Sequence, residues 1–369
     1  MGTIGDKLAY LDGTKQAIKQ ALINKKIKVT DEDTFRSYAE KLDNLAMLNA
    51  QFKEGTFSAS GQSELEKLVH YNIQKLPKIT LDAKFASSLF YDLRGLLEVP
   101  ELEFVQTITS TSSMFNYCQS LTTVPLFDTS SVTSTNYMFN GCKNLTTVPL
   151  FDLSSVTTTY QMFSNCSNLT TVPAFDLSSA TNISYMFGQC ASLTTVPLFN
   201  TSSVTNASNM FQSCTSLTTV PLFDTSSVTN ASSMFSSCTS LTTVPLFDTS
   251  SVTNASRMFY QCQSLTTVPL FDTSSVTNAS YMFSSCTSLT TLPVFDFSNL
   301  TTVQSMFQYT NNLNAESLNN LLASCITATK LSTKTLTNFG ISSSVYKKFD
   351  FTTMSNYQAF IDAGWTLGW

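Results

Sequence analysis

The chain has 369 residues, enough for more than one conventional domain, yet only 12% of them are charged, the net charge is -5, and Ser and Thr abound. So few cations cannot form the concentrated Lys/Arg stripe that phosphate binding requires, which excludes a nucleic-acid partner. No stretch of about 18 apolar residues occurs, which excludes insertion into a membrane as a helix.

Residues 1–48 read as a helical attachment segment. Asp6, Lys7 and Asp12 interrupt any apolar run, so the segment lacks the h-region of a secretory signal. Leu8, Leu11, Ile18 and Leu22 recur at helical spacing, and Thr30-Asp31 or Asp33 can cap a second helix carrying Phe35, Tyr38 and Leu42. Two helices this short enclose too small a core to stand alone, which predicts that they dock on another surface. Residues 49–63, with Gly55, Ser58, Ser60 and Gly61, read as a linker. Residues 64–113 read as degenerate coils: Leu76-Pro77 suggests one, and Leu89-Phe90, Leu93, Leu96 and Val99-Pro100 spell another with Leu93 in a slot that cysteine fills later.

From Met114 to Ser305 the chain consists of eight 24-residue units. Cys118, Cys142, Cys166, Cys190, Cys214, Cys238, Cys262 and Cys286 mark the period, and the consensus is MFxxCxSLTTVPLFDTSSVTNASx. Such a unit cannot bury its apolar side by itself, so the units must stack into a solenoid; the run Leu217, Val220, Leu222 has leucine-rich-repeat spacing. Met210, Phe211, Cys214, Leu217, Val220, Leu222 and Val228 are expected to point inward, each burial being worth roughly 1.5–3 kcal/mol. Coils ~4.8 Å apart would make a rod roughly 40–50 Å long. Pro221 and its equivalents have no amide hydrogen for a ladder, which predicts very short strands around Thr219 and Val220 followed by polyproline-like backbone. Asp224 is expected to cap the turn that follows it.

Residues 306–369 read as a mixed α/β cap. Met306-Phe307 opens a last unit, Thr310 stands where cysteine is due, and the segment 315–324 turns helical. The fold class expected is thus a mostly β or irregular solenoid of leucine-rich-repeat type, with short N-terminal helices and this cap.

The units closely resemble the BspA-like leucine-rich repeats, whose members carry Met-Phe, a small residue before Cys, a Leu and Val-Thr-Asn in this order. The resemblance covers about residues 90–310. The tail, with KTLTNFGI and AGWTLGW, looks like caps of bacterial surface proteins and of bacteriophage fibre or tail proteins, and IGDKLAYLDGTKQAIKQAL with DTFRSYAEKL resembles the N-terminal segment of phage virion proteins. The resemblance implies a surface-exposed adhesion module without enzymatic activity. Val-Pro stands where the family more often has Asp or Leu, which puts the regularity of the sheet in question.

Several columns invite chemistry. One cysteine per coil among Leu and Phe reads as a buried small side chain rather than a metal or disulfide site, and the single histidine, His70, lies outside the repeats. Calcium needs six to eight oxygens, whereas each coil supplies one carboxylate from the column Asp128, Asp152, Asp176, Asp224, Asp248, Asp272 and Asp296; capping explains it better. Asn206-Ala-Ser and its relatives match glycosylation sequons, but read as ladders bonding neighbouring backbone. No nucleophile, base and orienting group come together, so no catalytic residue, cofactor or metal is expected. The positions that differ between copies are more informative: Tyr117, Tyr137, Tyr185, Arg257, Tyr260, Gln261, Tyr281 and Tyr309 flank one turn and are expected to form a continuous stripe suited to sugar or protein recognition. Together these readings describe a virion-surface protein that contacts other virion proteins through residues 1–48 and a host glycan or protein through the solenoid. The alternatives are a bacterial cell-surface adhesin and a purely structural capsid or tail decoration.

Overall fold

The computed structural model describes residues 79–81, 86–99, 102–104 and 107–368, together with Gln20. The helices expected over residues 1–45, the linker and Leu76-Pro77 lie outside the described residues. What is described is a solenoid with one continuous apolar core running from Ala86 to Trp365.

Each coil is held to the next by an arm that contains the Met-Phe pair. In one coil the amides of Ala207, Asn209, Phe211 and Ser213 donate forward to the carbonyls of Asn230, Ser232, Met234 and Ser236 at 2.7–3.0 Å. The intervening amides of Met210, Gln212 and Cys214 turn back to carbonyls three residues earlier in the same coil. Every amide of the arm is therefore used, alternately between coils and within one, as buried backbone must be. The third residue of each of two successive turns, Asn209 and Ser213, has positive φ (58° in both), as a type II turn requires.

Phenylalanine fills the space between these backbones. Phe115, Phe139, Phe163, Phe187, Phe211, Phe235, Phe259, Phe283 and Phe307 stack with centroids 5.2–5.7 Å apart and planes within 10°. A second column, which includes Phe151, Phe175, Phe199 and Phe223, lies beside it at 5.9–6.1 Å. Such offset pairs are worth about 0.5–1.5 kcal/mol each beyond their buried area.

The second column corrects the sequence reading. Leu222 is not inward: it is 59% exposed, and Phe223 takes the buried place. The reason is local, because Phe223 N–H bonds the Pro221 carbonyl at 3.0 Å, an inverse γ-turn that throws the intervening Leu222 outward. The same bond recurs from Phe151, Phe175, Phe247 and Phe271. The strands also lie elsewhere than expected. The ladder that runs through the array is a chain of single parallel bridges at Ser134, Thr158, Asn182, Asn206, Asn230, Asn254 and Asn278, in the Val-Thr-Asn segment. At the Thr before Val-Pro only Glu98–Thr123 and Thr267–Thr291 pair, since the proline and γ-turn interrupt pairing there.

At the N-terminal end, strands β1 (Ile79–Leu81) and β2 (Leu102–Phe104) pair in parallel, 23 residues apart. Leu93 is buried in the slot where Cys118 sits in the following coil. At the other end helix α1 (Ala315–Thr327), with Asn314 as N-cap, lies across the last coil. The amides of Leu292, Phe295 and Phe297 donate to the hydroxyls of Ser317, Ser324 and Thr327 at 2.7–2.9 Å, the Phe295 bond replacing the one that inner coils make to their own proline carbonyl. Helices α2 (Ser343–Tyr346) and α3 (Tyr357–Asp362) complete the cap, with Trp365 buried against Phe339 and Phe360.

Two outcomes test this packing by chemical denaturation. Leu217→Ala should cost about 2–5 kcal/mol, whereas Leu222→Ser should change stability by no more than about 0.5 kcal/mol. Ser324→Ala strands the Phe295 amide and should cost about 1–3 kcal/mol.

Candidate recognition surfaces

The cysteine column is an internal hydrogen-bond ladder. Each thiol donates to a phenylalanine carbonyl of the preceding coil: Cys214 Sγ lies 3.1 Å from Phe187 O, and Cys286 Sγ lies 3.0 Å from Phe259 O. Where cysteine gives way to Thr310, the hydroxyl makes the same bond at 2.6 Å. All nine cysteines are free and buried. Burial pushes the Cys214 and Cys286 thiols up to about 12, so they remain protonated donors. Among the described residues no group of three His, Cys, Asp or Glu side chains converges as metal ligands.

The aspartates serve their own turns. Asp224 Oδ1 accepts from Ser226 N at 3.1 Å and from Ser226 Oγ at 2.7 Å, and Asn200 makes the same pair of contacts with Ser202. An uncharged residue does the job equally, which is what capping predicts and calcium binding does not. The hydrogen bonds from serine hold the carboxyls of Asp128, Asp152, Asp224, Asp248 and Asp272 below the ordinary 3.8. The asparagines correct another expectation. Asn206, Asn230, Asn254 and Asn278 do bridge coils through their backbones, but their side chains accept from Ser amides two residues on in the same coil at 3.0–3.1 Å.

Seven of the eight variable residues occupy one backbone environment. Tyr137, Tyr185, Arg257 and Tyr281 are the third residue of the first arm turn, and Tyr117, Gln261 and Tyr309 the third residue of the second, all with φ from 56° (Arg257) to 63° (Tyr117). Tyr260 precedes Gln261 and is not among the positive-φ residues. A left-handed residue directs its side chain out of the coil, which is why its identity is free to change. Glycine or asparagine suits such a position, and a tyrosine there costs roughly 1 kcal/mol. Among the left-handed arm positions described only Gly141 is glycine, and a Cβ on it would stand 2.7 Å from the ring of Tyr117.

The stripe is not continuous. Tyr137 and Tyr185 are joined by Tyr160, which the sequence reading passed over, in edge-to-face contacts at 5.2 and 6.1 Å. Partial burial, then the neighbouring Tyr160, holds the Tyr137 phenol above its ordinary value. Tyr117 pairs with Tyr91 at 6.3 Å, and Arg257 lies over the Tyr281 ring at 5.1 Å. Between these patches Asn209, Ser213, Ser233 and Ser237 carry no aromatic ring. Tyr160 could have been found by asking which neighbouring column is aromatic beside a known tyrosine.

A second surface went unread. Leu126, Leu150, Leu198, Leu222, Leu246 and Leu270 are each 58–64% exposed and recur once per coil, with Val294 continuing the row and Ala174 interrupting it. Two residues on stands the exposed Asp column, with Asn200 in its place after Leu198. The outcome is an apolar ridge running along the rod with a line of carboxylates beside it.

A family model described as "Mycoplasma protein of unknown function, DUF285" matches residues 88–198, 181–291, 218–321 and 241–346, well over half of the chain in all. The chain belongs to this family. Among curated proteins none matches it. Solved structures similar to this DUF285 chain include a leucine-rich repeat protein from Eubacterium ventriosum, at 15% identity and TM-score 0.37, covering 66% of this chain and 84% of that one. The functional domain of InlJ from Listeria monocytogenes, which includes a cysteine ladder, is similar at 14% identity and TM-score 0.21, covering 73% of this chain and 68% of that one. The TLR13–ssRNA13 complex matches at 14% identity and TM-score 0.27, covering 74% of this chain and 48% of that one. The architecture of the DUF285 coils rests on the contacts described above.

The titrations set a pH window. The aspartates, lowered in the folded state, add stability that is present above the unfolded value near 3.8 and is lost as pH falls through the folded values. The thiols, raised in the folded state, add stability that is present below their unfolded value and is lost as pH rises from about 9 towards 12. Melting temperature should therefore be flat between pH ~5 and ~8 and fall on both sides, and a thiol reagent at pH 8 should label no cysteine until the chain unfolds.

Proposed function

We propose that the protein is a non-catalytic recognition rod on a virion surface, attached to other virion proteins through residues 1–48 and engaging a host-surface glycan or protein through its tyrosine-bearing face. The observation that supports this most is the placement of tyrosine in left-handed turns. Backbone preference asks for glycine or asparagine there, the core gains nothing from an outward ring, and yet tyrosine stands at 117, 137, 185, 281 and 309. A ring with a polar tip, rigid and half-exposed beside another, loses little conformational freedom on binding. The placement on a virion rests on the resemblance of the first 45 residues to phage virion proteins.

A second reading, a bacterial cell-surface adhesin, is favoured by the family description, which names a Mycoplasma protein. Quantitative mass spectrometry of purified particles and of bacterial envelopes from the source separates the two: stoichiometric presence in particles supports the first, and presence in envelopes alone supports the second.

The triple variant Tyr137→Ala, Tyr160→Ala, Tyr185→Ala tests recognition itself. Binding to host cells should weaken at least tenfold with the melting temperature nearly unchanged. Unchanged binding would leave the rod a purely structural decoration.

A further inference from the structure

We infer that the leucine ridge is the docking site of residues 1–28 of this same protein, taken from the same or a neighbouring copy. The inference rests on the reading of residues 1–48 as an attachment segment and divides it: residues 1–28 hold this protein's own ridge, residues 29–48 remain for a virion partner, and the tyrosine face stays free.

Charge is divided sharply along the chain. Residues 1–28 contain Lys7, Lys15, Lys19, Lys25, Lys26 and Lys28 against Asp6 and Asp12, a net +4, so the remaining residues carry -9 of the overall -5. Between Met114 and Ser305 the seven aspartates beside the ridge face only Lys143 and Arg257 as cations. On the helix that the sequence predicts here, Leu8, Leu11, Ile18 and Leu22 form one stripe, and Lys7, Lys15, Lys19 and Lys26 lie in or along its margins. A leucine stripe edged by lysine thus meets a leucine ridge edged by aspartate.

The spacings agree as well. An α-helix advances about 5.4 Å per turn, and the solenoid advances by a coil for each 5.2–5.7 Å between stacked phenylalanine rings. A helix lying along the rod would span roughly four coils over the ~21 Å from Leu8 to Leu22, setting Leu8, Leu11, Ile18 and Leu22 against the ridge with Lys15 in the gap between Leu11 and Ile18. The row is built into the repeat: the γ-turn after Pro149, Pro173, Pro221, Pro245 and Pro269 turns the next side chain outward, and Leu126 and Leu198 are exposed at the same place.

The test uses the full chain, purified, with no particle present, so it can fail while the recognition role stands, and the reverse. A carbodiimide joins amine to carboxylate only where they touch. At 50 mM NaCl, mass spectrometry should find isopeptides between lysines of residues 1–28 and Asp176, Asp224, Asp248 or Asp272. They should fall at least fivefold at 0.5 M NaCl and at least fivefold in a Leu198→Ser, Leu222→Ser, Leu246→Ser variant whose melting temperature matches the parent. Mixing unlabelled with nitrogen-15-labelled protein tells whether the segment comes from a neighbouring copy. An independent variant, Asp224→Asn, Asp248→Asn, Asp272→Asn, removes charge but keeps the turns, as Asn200 already does. It should speed tryptic cleavage after Lys15 and Lys19 at least threefold. Isopeptides absent from the ridge, or cleavage rates equal in all three proteins, would overturn the inference.

Discussion

The rest of the molecule depends on the alternating hydrogen bonds of the Met-Phe arm. One amide bonds the next coil and the following one closes a turn in its own coil, so translation along the rod and curvature around it are set by the same eight residues. That alternation forces two left-handed residues per coil. It also brings phenylalanine of each coil directly over phenylalanine of the last, and leaves a phenylalanine carbonyl with spare capacity that the thiol of the next coil fills. The cysteine acts as a small, weak donor that fits between stacked rings, and the substitution by Thr310 shows which property is kept.

Much of this was readable in the sequence and some was not. The 24-residue period, the inward Met210, Phe211, Cys214, Leu217, Val220 and Val228, and the helical cap after Thr310 follow from spacing, because burial imposes periodicity. Leu222 was misassigned because leucine-rich spacing presumes an extended strand, and a proline followed by a γ-turn rotates the next residue out of that phase. No hydrophobicity pattern distinguishes Leu222 from Phe223, since both are apolar and adjacent. The strand ladder was misplaced for the same reason: pairing moved from the segment that proline interrupts to Val-Thr-Asn, where every amide is available.

The variable residues show a different limit. Comparing copies picks out side chains that leave the core, because sequence freedom tracks exposure. It could not show that seven of them share positive φ, nor that the stripe breaks into patches at Ser213 and Ser237, since both depend on where successive turns aim their third residue. Tyr160 escaped notice because its column is serine in most coils, and only contact with Tyr137 and Tyr185 reveals its place.

The cap has a consequence of another kind. Helix α1 terminates the array with three hydroxyls on one face, spaced to receive three amides of whichever coil comes last, and nothing in that contact counts the coils before it. Insertion or deletion of a whole 24-residue unit keeps the same backbone contacts at both ends and at every internal junction. Length is therefore an inheritable quantity that can drift in quantal steps, and the protein behaves as a ruler whose graduations are invariant while its total extent is open to selection.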